Sequence, residues 1–498
     1  MARTSVPVEP EHFIPVPRHR LLDVLVEEAG ERGKGIAELC RLLEALLHFE
    51  YRELIEDLKR DYSLFDPGSS TEAVAMLGRD LSGADLDAAE HRFLGRFVEM
   101  ISKANFIPLT QQDLEVATAE DYLFSLPVEV DWDRYDTRLM DAYFQDNAYA
   151  DGSSQPPEFA RHAMVFRRGI GIDRTEGLLF FQKLDLLISR ILVGLMRLPG
   201  RLFGRGGSDT EADEAAEADG GEPSESMFEA KTIERITLHP EDVSPLSLFR
   251  RTKLQEPTFG QLVLVFRLKP DESDGSGDSG DSGQFGKLID RTIHIKTFVD
   301  IPMADLEVVF PEKRLSMKPV DLIKVAITAV SGLVVVAVKL IMSAFNPLLM
   351  VVLLGSLVAY GGRAIMGYRT SRARYQHLVT DALYTKSRDN GLGVVLFLVD
   401  CMEEQEWKEV LLGWVMLDRE GSCGARELDR RCERWLKERF GVETDFEISD
   451  ALAKLQQLEL VDETGGTWSA CDLDTVLARL DRRWDDQFQF RRPGARDA

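Results

Sequence analysis

What the chain lacks narrows its chemistry. Five cysteines stand among 498 residues, at Cys40, Cys401, Cys423, Cys432 and Cys471. No two have the CxxC spacing of metal or redox sites, and an odd, scattered set predicts reduced thiols rather than a disulfide framework. There is no GxxxxGK[ST] loop, no GxGxxG after a strand, no HExxH and no GxSxG, so the signatures of nucleotide binding, zinc hydrolysis and serine catalysis are missing. Eight histidines are isolated in sequence, with no pair at the spacing of a metal-binding helix. The opening MARTSVPVEPEHFIPVPRHR has no apolar core behind its basic residues and does not read as a secretory signal peptide. Bases are in the minority: 60 Lys and Arg against 85 Asp and Glu leave a net charge of −25, the wrong sign for a chain that coats nucleic acid. No catalytic residue, metal or cofactor is expected.

Long apolar runs are also rare, with one exception. From Val325 to Gly362 only Lys339 is charged. Thirty-eight residues as one helix would reach about 57 Å, too far for a single span, and Asn346-Pro347 interrupts the run where a helix cannot continue. The pattern predicts one helix over about 321–342, a turn at 343–347 that includes Asn346 and Pro347, and a second helix over about 348–366. Lys313, Arg314, Lys318 and Lys324 precede it and Arg363, Arg369, Arg372 and Arg374 follow. Basic flanks on both sides put both soluble ends on the cytoplasmic face. Lys339 then sits where its stem snorkels to the far interface. The competing reading is a buried helical hairpin of a soluble domain.

Before that run, residues 1–125 read as helical. Ile36, Leu39, Cys40, Leu43, Leu46, Leu47, Leu54 and Leu58 recur near the 3.6 period, and Phe93, Phe97 and Ile101 mark a helix over about 85–104. Thr110 and Asp113 have capping-box spacing. Residues 126–320 read as a mixed α+β domain, with strands at 128–132, 163–166, 232–239, 258–268 and 289–299. It carries two acidic insertions expected to be disordered. One is 207–227, with eight acids and no base; the other is 271–283, DESDGSGDSGDSG. Within this domain Leu178–Leu198 repeats Lys183, Arg190 and Arg197 every seventh residue, and Arg201 extends the stripe. That suits a helix lying at headgroups and equally a core helix with one wet edge. Arg167-Arg168 and Arg250-Arg251 are further candidate phosphate contacts, and each also suits a solvated face. Gly169-Ile170-Gly171 is a fragment of a glycine-rich turn, and the alternation around His294 points it to water.

Residues 373–487 read as helix over 375–417, helix over 425–440 stopped by Gly441, helix over 448–458, a hairpin turning at Thr464-Gly465-Gly466, and a helix over 472–484. Helix, helix, hairpin is the outline of a winged helix. From Ala373 to Ala498, 18 Lys and Arg face 26 Asp and Glu, a net of −8, so protein rather than nucleic acid is the expected partner.

FIPVPRHRLL at Phe13–Leu22, LFRRTKLQEPTFGQLVLVFR at Leu248–Arg267, DIPMADLEVVFPEKRLSMKPVD at Asp300–Asp321, LYTKSRDNGLGVV at Leu383–Val395 and FEISDALAKLQQLELV at Phe446–Val461 together resemble the domain-of-unknown-function 3754 family, the one around transmembrane protein 143. The resemblance implies a two-span membrane protein and supplies no activity or catalytic residue. The expected fold is therefore α+β soluble domains with a two-helix transmembrane hairpin at 321–366 and a C-terminal winged-helix-like unit at 373–487. The expected location is integral to a bacterial inner membrane, or to an organelle membrane in a eukaryote. The expected function is that of a membrane-anchored scaffold or interaction protein, with the bilayer as one partner and a protein bound through the C-terminal domain as another. The alternative is a membrane-surface lipid-binding protein or enzyme that uses Lys183, Arg190, Arg197 and Arg201 at headgroups.

Overall fold

A computed structural model of the chain describes residues 2–8, 11–78, 80–118, 128–149, 156–177, 231–237, 251–270, 291–315 and 383–487, with a few single positions between 366 and 380. In chain order these form β1 (Ala2–Val8), α1 (Arg18–Ala29), α2 (Gly33–Tyr62), α3 (Thr71–Gly78), α4 (Gly83–Lys103), β2 (Ile107–Pro108), α5 (Gln111–Thr118), β3 (Val128–Val130), α6 (Arg138–Asp146), β4 (Ala163–Gly177), β5 (Lys231–Thr237), β6 (Thr252–Phe266), β7 (His294–Pro302), β8 (Lys313–Leu315) and β9 (Ser387–Asn390). Then follow α7 (Leu392–Glu420), β10 (Cys423–Gly424), α8 (Ala425–Phe440), α9 (Ile448–Gln457), β11 (Val461–Thr464), β12 (Thr467–Ala470) and α10 (Leu473–Asp486).

The main sheet runs β1-β5-β6-β4-β2, with β7 on β6 and β9 on β7, and every pairing in it is antiparallel. Its centre is β6, which is apolar on both faces, as a covered strand must be. Val263 and Val265 face one core with Met164, Phe166 and Ile295, while Leu262, Leu264 and Phe266 face another with Val165, Phe298 and Phe310. The first core is continuous with α2, α4, α7 and the whole 423–480 region. α7 is the axle of the fold, touching α2, α4, α8 and α9.

Two glycines meet where β4 and β6 cross. Gly169 has φ +77°, and a Cβ on Gly260 would lie 3.2 Å from the carbonyl oxygens of Arg168 and Gly169. The expected glycine-rich turn at 169–171 is thus the middle of a strand, where bare backbone permits close approach. Gly260→Ala should destabilise the protein by about 1–2 kcal/mol through this clash with backbone, read as a lower urea midpoint at unchanged slope.

The C-terminal elements follow their sequence patterns closely. α8 spans 425–440 and ends on Gly441 at φ +67°, the left-handed C-cap its position predicts. β11 and β12 turn at Gly465-Gly466 and join β10 in a sheet ordered β10-β12-β11. The helix expected over 375–417 differs. Ser387–Asn390 pairs with β7, and Gly391 at φ +53° starts α7.

Among the described residues no helix is long and apolar enough to cross a membrane. That corrects the expected fold class: what is described is α+β with no spanning helix, and the integral-membrane location and the bilayer partner lose their support. Residues 321–365, with the turn at Asn346 and Pro347, lie outside the described residues. The physical reason for the misreading is visible nearby. Lys313 and Arg314, counted as a basic flank, belong to β8, opposite Val130 and Glu129, and Arg314 is held by Asp131 at 2.9 Å. An apolar run, moreover, does not distinguish burial in lipid from burial in protein. The expected protein partner of the C-terminal unit loses ground too: Leu473, Val476 and Leu480 of α10 lie in the shared core, and α10 packs on α2 of the same chain.

Candidate functional site

The residues nominated for headgroup contact, Lys183, Arg190, Arg197 and Arg201, lie outside the described residues, as do the acidic insertions 207–227 and 271–283. Arg167 and Arg168 are inside the protein. Arg167 is buried with its Nε 3.4 Å from Asp113, whose carboxylate also completes the expected capping box with Thr110. Arg168 is clamped between the rings of Phe13 and Phe106, at 5.0 and 4.6 Å from their centroids. It donates to Ala104 O, Gln261 Oε1 and Cys401 Sγ. This guanidinium ties the segment before α1, the sheet and α7 together, a structural duty. His294 does not face open water: it stacks on Phe266 at 4.9 Å, and burial pushes its imidazole down to about 4.

A different place gathers polar groups around space. A cleft of about 500 Å³ opens between α4, α6 and the loop ends beside β6 and β7. Asp87, Glu90, His91 and Leu94 recur on one face of α4 at helical spacing. The antiparallel β6–β7 pair brings Arg267, just past one strand, near Arg291, just before the other. α6 supplies Arg138, Leu139, Ala142, Tyr143 and Asp146.

The polar wall is a charge ladder. Glu90 Oε1 accepts from Arg267 at 2.6 Å and lies 3.3 Å from Arg291 NH1, which also reaches Asp87 at 2.6 Å. Arg267 further donates to the Arg291 carbonyl at 2.8 Å, while its buried Nε has no acceptor among the described residues. Arg291 is 24% exposed and uses only NH1 among the described residues, so the rest of its planar fork is unspent. Leu94, Leu139, Ala142 and Tyr143 add apolar lining to the same cleft, and burial raises the Tyr143 phenol above its ordinary range. Glu90 is locked between two guanidiniums, and the cleft offers no serine, cysteine or lysine beside a base. Such a wall can grip an anion.

Sequence reasoning had no linear motif for this site. Its parts are separated by up to 204 positions, as in the Asp87–Arg291 pair. One signal was present: polar Asp87, Glu90 and His91 occupy a helix whose other face carries Phe93, Phe97 and Ile101.

Residues 259–393 match the family described as Protein of unknown function (DUF3754). No curated protein and no solved structure matches the chain.

Proposed function

We propose that this chain, a member of that family of unknown function, is a small-molecule-binding protein whose cleft holds a carboxylate-bearing ligand at Arg291. The carrying observation is the half-used guanidinium of Arg291 in an open cleft whose lining also holds apolar side chains. Arg presents paired N–H groups that match a carboxylate, and a desolvated pair of this kind is the strong form of the hydrogen bond. Leu94, Leu139 and the Tyr143 ring give the body of the ligand an apolar surface, the usual division of labour in small-molecule sites. Arg267 and Arg291 both fall within the family match.

Binding is the reading rather than turnover, because Asp87 and Glu90, the carboxylates that touch Arg267 and Arg291, are already ion-paired. Titration calorimetry with benzoate, malonate and inorganic phosphate tests it. Benzoate, which has one carboxylate and an apolar body, is expected to bind best. Arg291→Met is expected to weaken it about 10–100-fold, the worth of a charge-assisted hydrogen bond. Equal binding by wild type and Arg291→Met would remove the proposal.

A further inference from the structure

We infer that His91 and Tyr143 make the cleft selective for a flat aromatic ring, so that its ligand is an aryl carboxylate rather than an aliphatic one. The inference rests on the binding reading above and adds the class of ligand to it. His91 and Tyr143 both line the cleft, the first from α4 and the second from α6. Their rings stand 6.3 Å apart at 44°, neither stacked nor edge-on. Tyr143 is held in place: it is 7% exposed and meets Phe144 edge-on at 5.3 Å. His91 is exposed, and its imidazole makes no hydrogen bond or ion pair among the described residues. Apart from its approach to Tyr143, that ring is uncommitted.

Helix geometry sets the rings beside the anchor. His91 lies four residues after Asp87, one turn along the same face of α4. Asp87 holds Arg291 at 2.6 Å, and Glu90, the neighbour of His91 in the chain, lies 3.3 Å from the same NH1. The imidazole therefore starts roughly 5–6 Å from the residue that holds the guanidinium. A benzoate ion is about that long, so a carboxylate at Arg291 brings a directly attached ring to His91. Rings at centroid separations of about 4.5–7 Å gain more than the area they bury. A saturated ring has no π face and forgoes that gain. Apolar burial alone gives the opposite order, because a saturated ring of equal carbon count has the larger apolar surface.

The test is titration calorimetry of the full chain with benzoate and with cyclohexanecarboxylate, which share the carboxylate and the carbon count. Benzoate is expected to bind about 3–10-fold tighter, the worth of one aromatic pair. His91→Ala should bring that ratio close to one while both acids still bind. His91→Phe, which restores a ring, should keep the preference. Arg291→Met should weaken both acids and leave their ratio unchanged. Equal or reversed affinities in the wild type overturn the inference and leave the Arg291 reading standing. So does a preference that survives His91→Ala in full. An Arg291→Met variant that binds both acids as tightly as wild type removes the Arg291 reading and this one with it, as does a wild type that binds neither.

Discussion

Glu256→Leu is expected to cost about 3–5 kcal/mol, because it strands a buried guanidinium. Glu256 has no exposed surface, and both its oxygens are taken by Arg235, at 2.9 and 2.7 Å. Oε1 also accepts the Ala304 amide at 3.1 Å. The pair joins β5 to β6 and to the 303–309 turn. Burial pushes the Glu256 carboxyl up and Arg235 only partly pulls it back, so desolvation opposes the pair throughout. This asymmetry gives the prediction its second half. Arg235→Leu alone should be about as damaging as Glu256→Leu, but the double replacement should recover a large part of the loss, since it leaves no uncompensated charge. Urea denaturation of the four proteins reads it directly. A double variant as unstable as the sum of the singles would show that the two side chains are not coupled and would contradict the stranded-charge account.

The second large effect is on pH. Glu409 of α7 is buried, accepts from the side chains of Gln405 at 2.7 Å and Asn105 at 3.4 Å, and is pushed by burial up to about 8, with Glu447 and Asp450 adding repulsion. Glu433 is raised to about 7 by burial, assisted by Asp429 and Asp445; Asp429 is raised to about 6 by burial and by Asp445. Glu11 and Glu447 are raised too, each mainly by burial, with His12 pulling both part of the way back. For each acid the folded state holds a proton that the unfolded chain releases. Its contribution is therefore fully present below the unfolded value and is lost as pH rises through the folded one. Stability should fall as pH rises from about 4.5 to about 8, with a drop in Tm on the order of 5 °C. Glu409→Gln keeps the shape and removes the highest step, so its Tm should be nearly level above about pH 7. On the acid side His294 works the other way. Its folded value of about 4 lies below the ordinary 6.5, so stability is lost as pH falls from 6.5 toward 4.

Local rules were legible wherever local forces decide the structure. The stripe Ile36–Leu58 became α2, Gly441 became a left-handed cap, Thr110 and Asp113 capped α5, and Gly465-Gly466 turned the last hairpin. What failed was anything set by distant neighbours. Arg167-Arg168 looks like a surface pair in sequence, yet Phe13, Phe106 and Asp113 enclose it from three separate segments. His294 alternates like a wet residue, but the covered face of the sheet receives it on Phe266. The strap before α1 explains part of this. Thr444 Oγ1 donates to Glu11 O and Phe13 O, Gln405 Oε1 accepts from Ile14 N, and Lys408 donates to Ile14 O. Contacts some 400 positions apart leave no periodicity to read. The cleft belongs to the same class: its charge ladder exists only once β6 and β7 pair and α4 lies across their ends.

Native mass spectrometry of the full chain, purified without denaturant or added carboxylates, tests the central claim most directly. Wild type is expected to carry a small-molecule adduct that Arg291→Met reduces, with tandem fragmentation releasing a carboxylate-bearing ion. An adduct of that kind retained in full by Arg291→Met would contradict it.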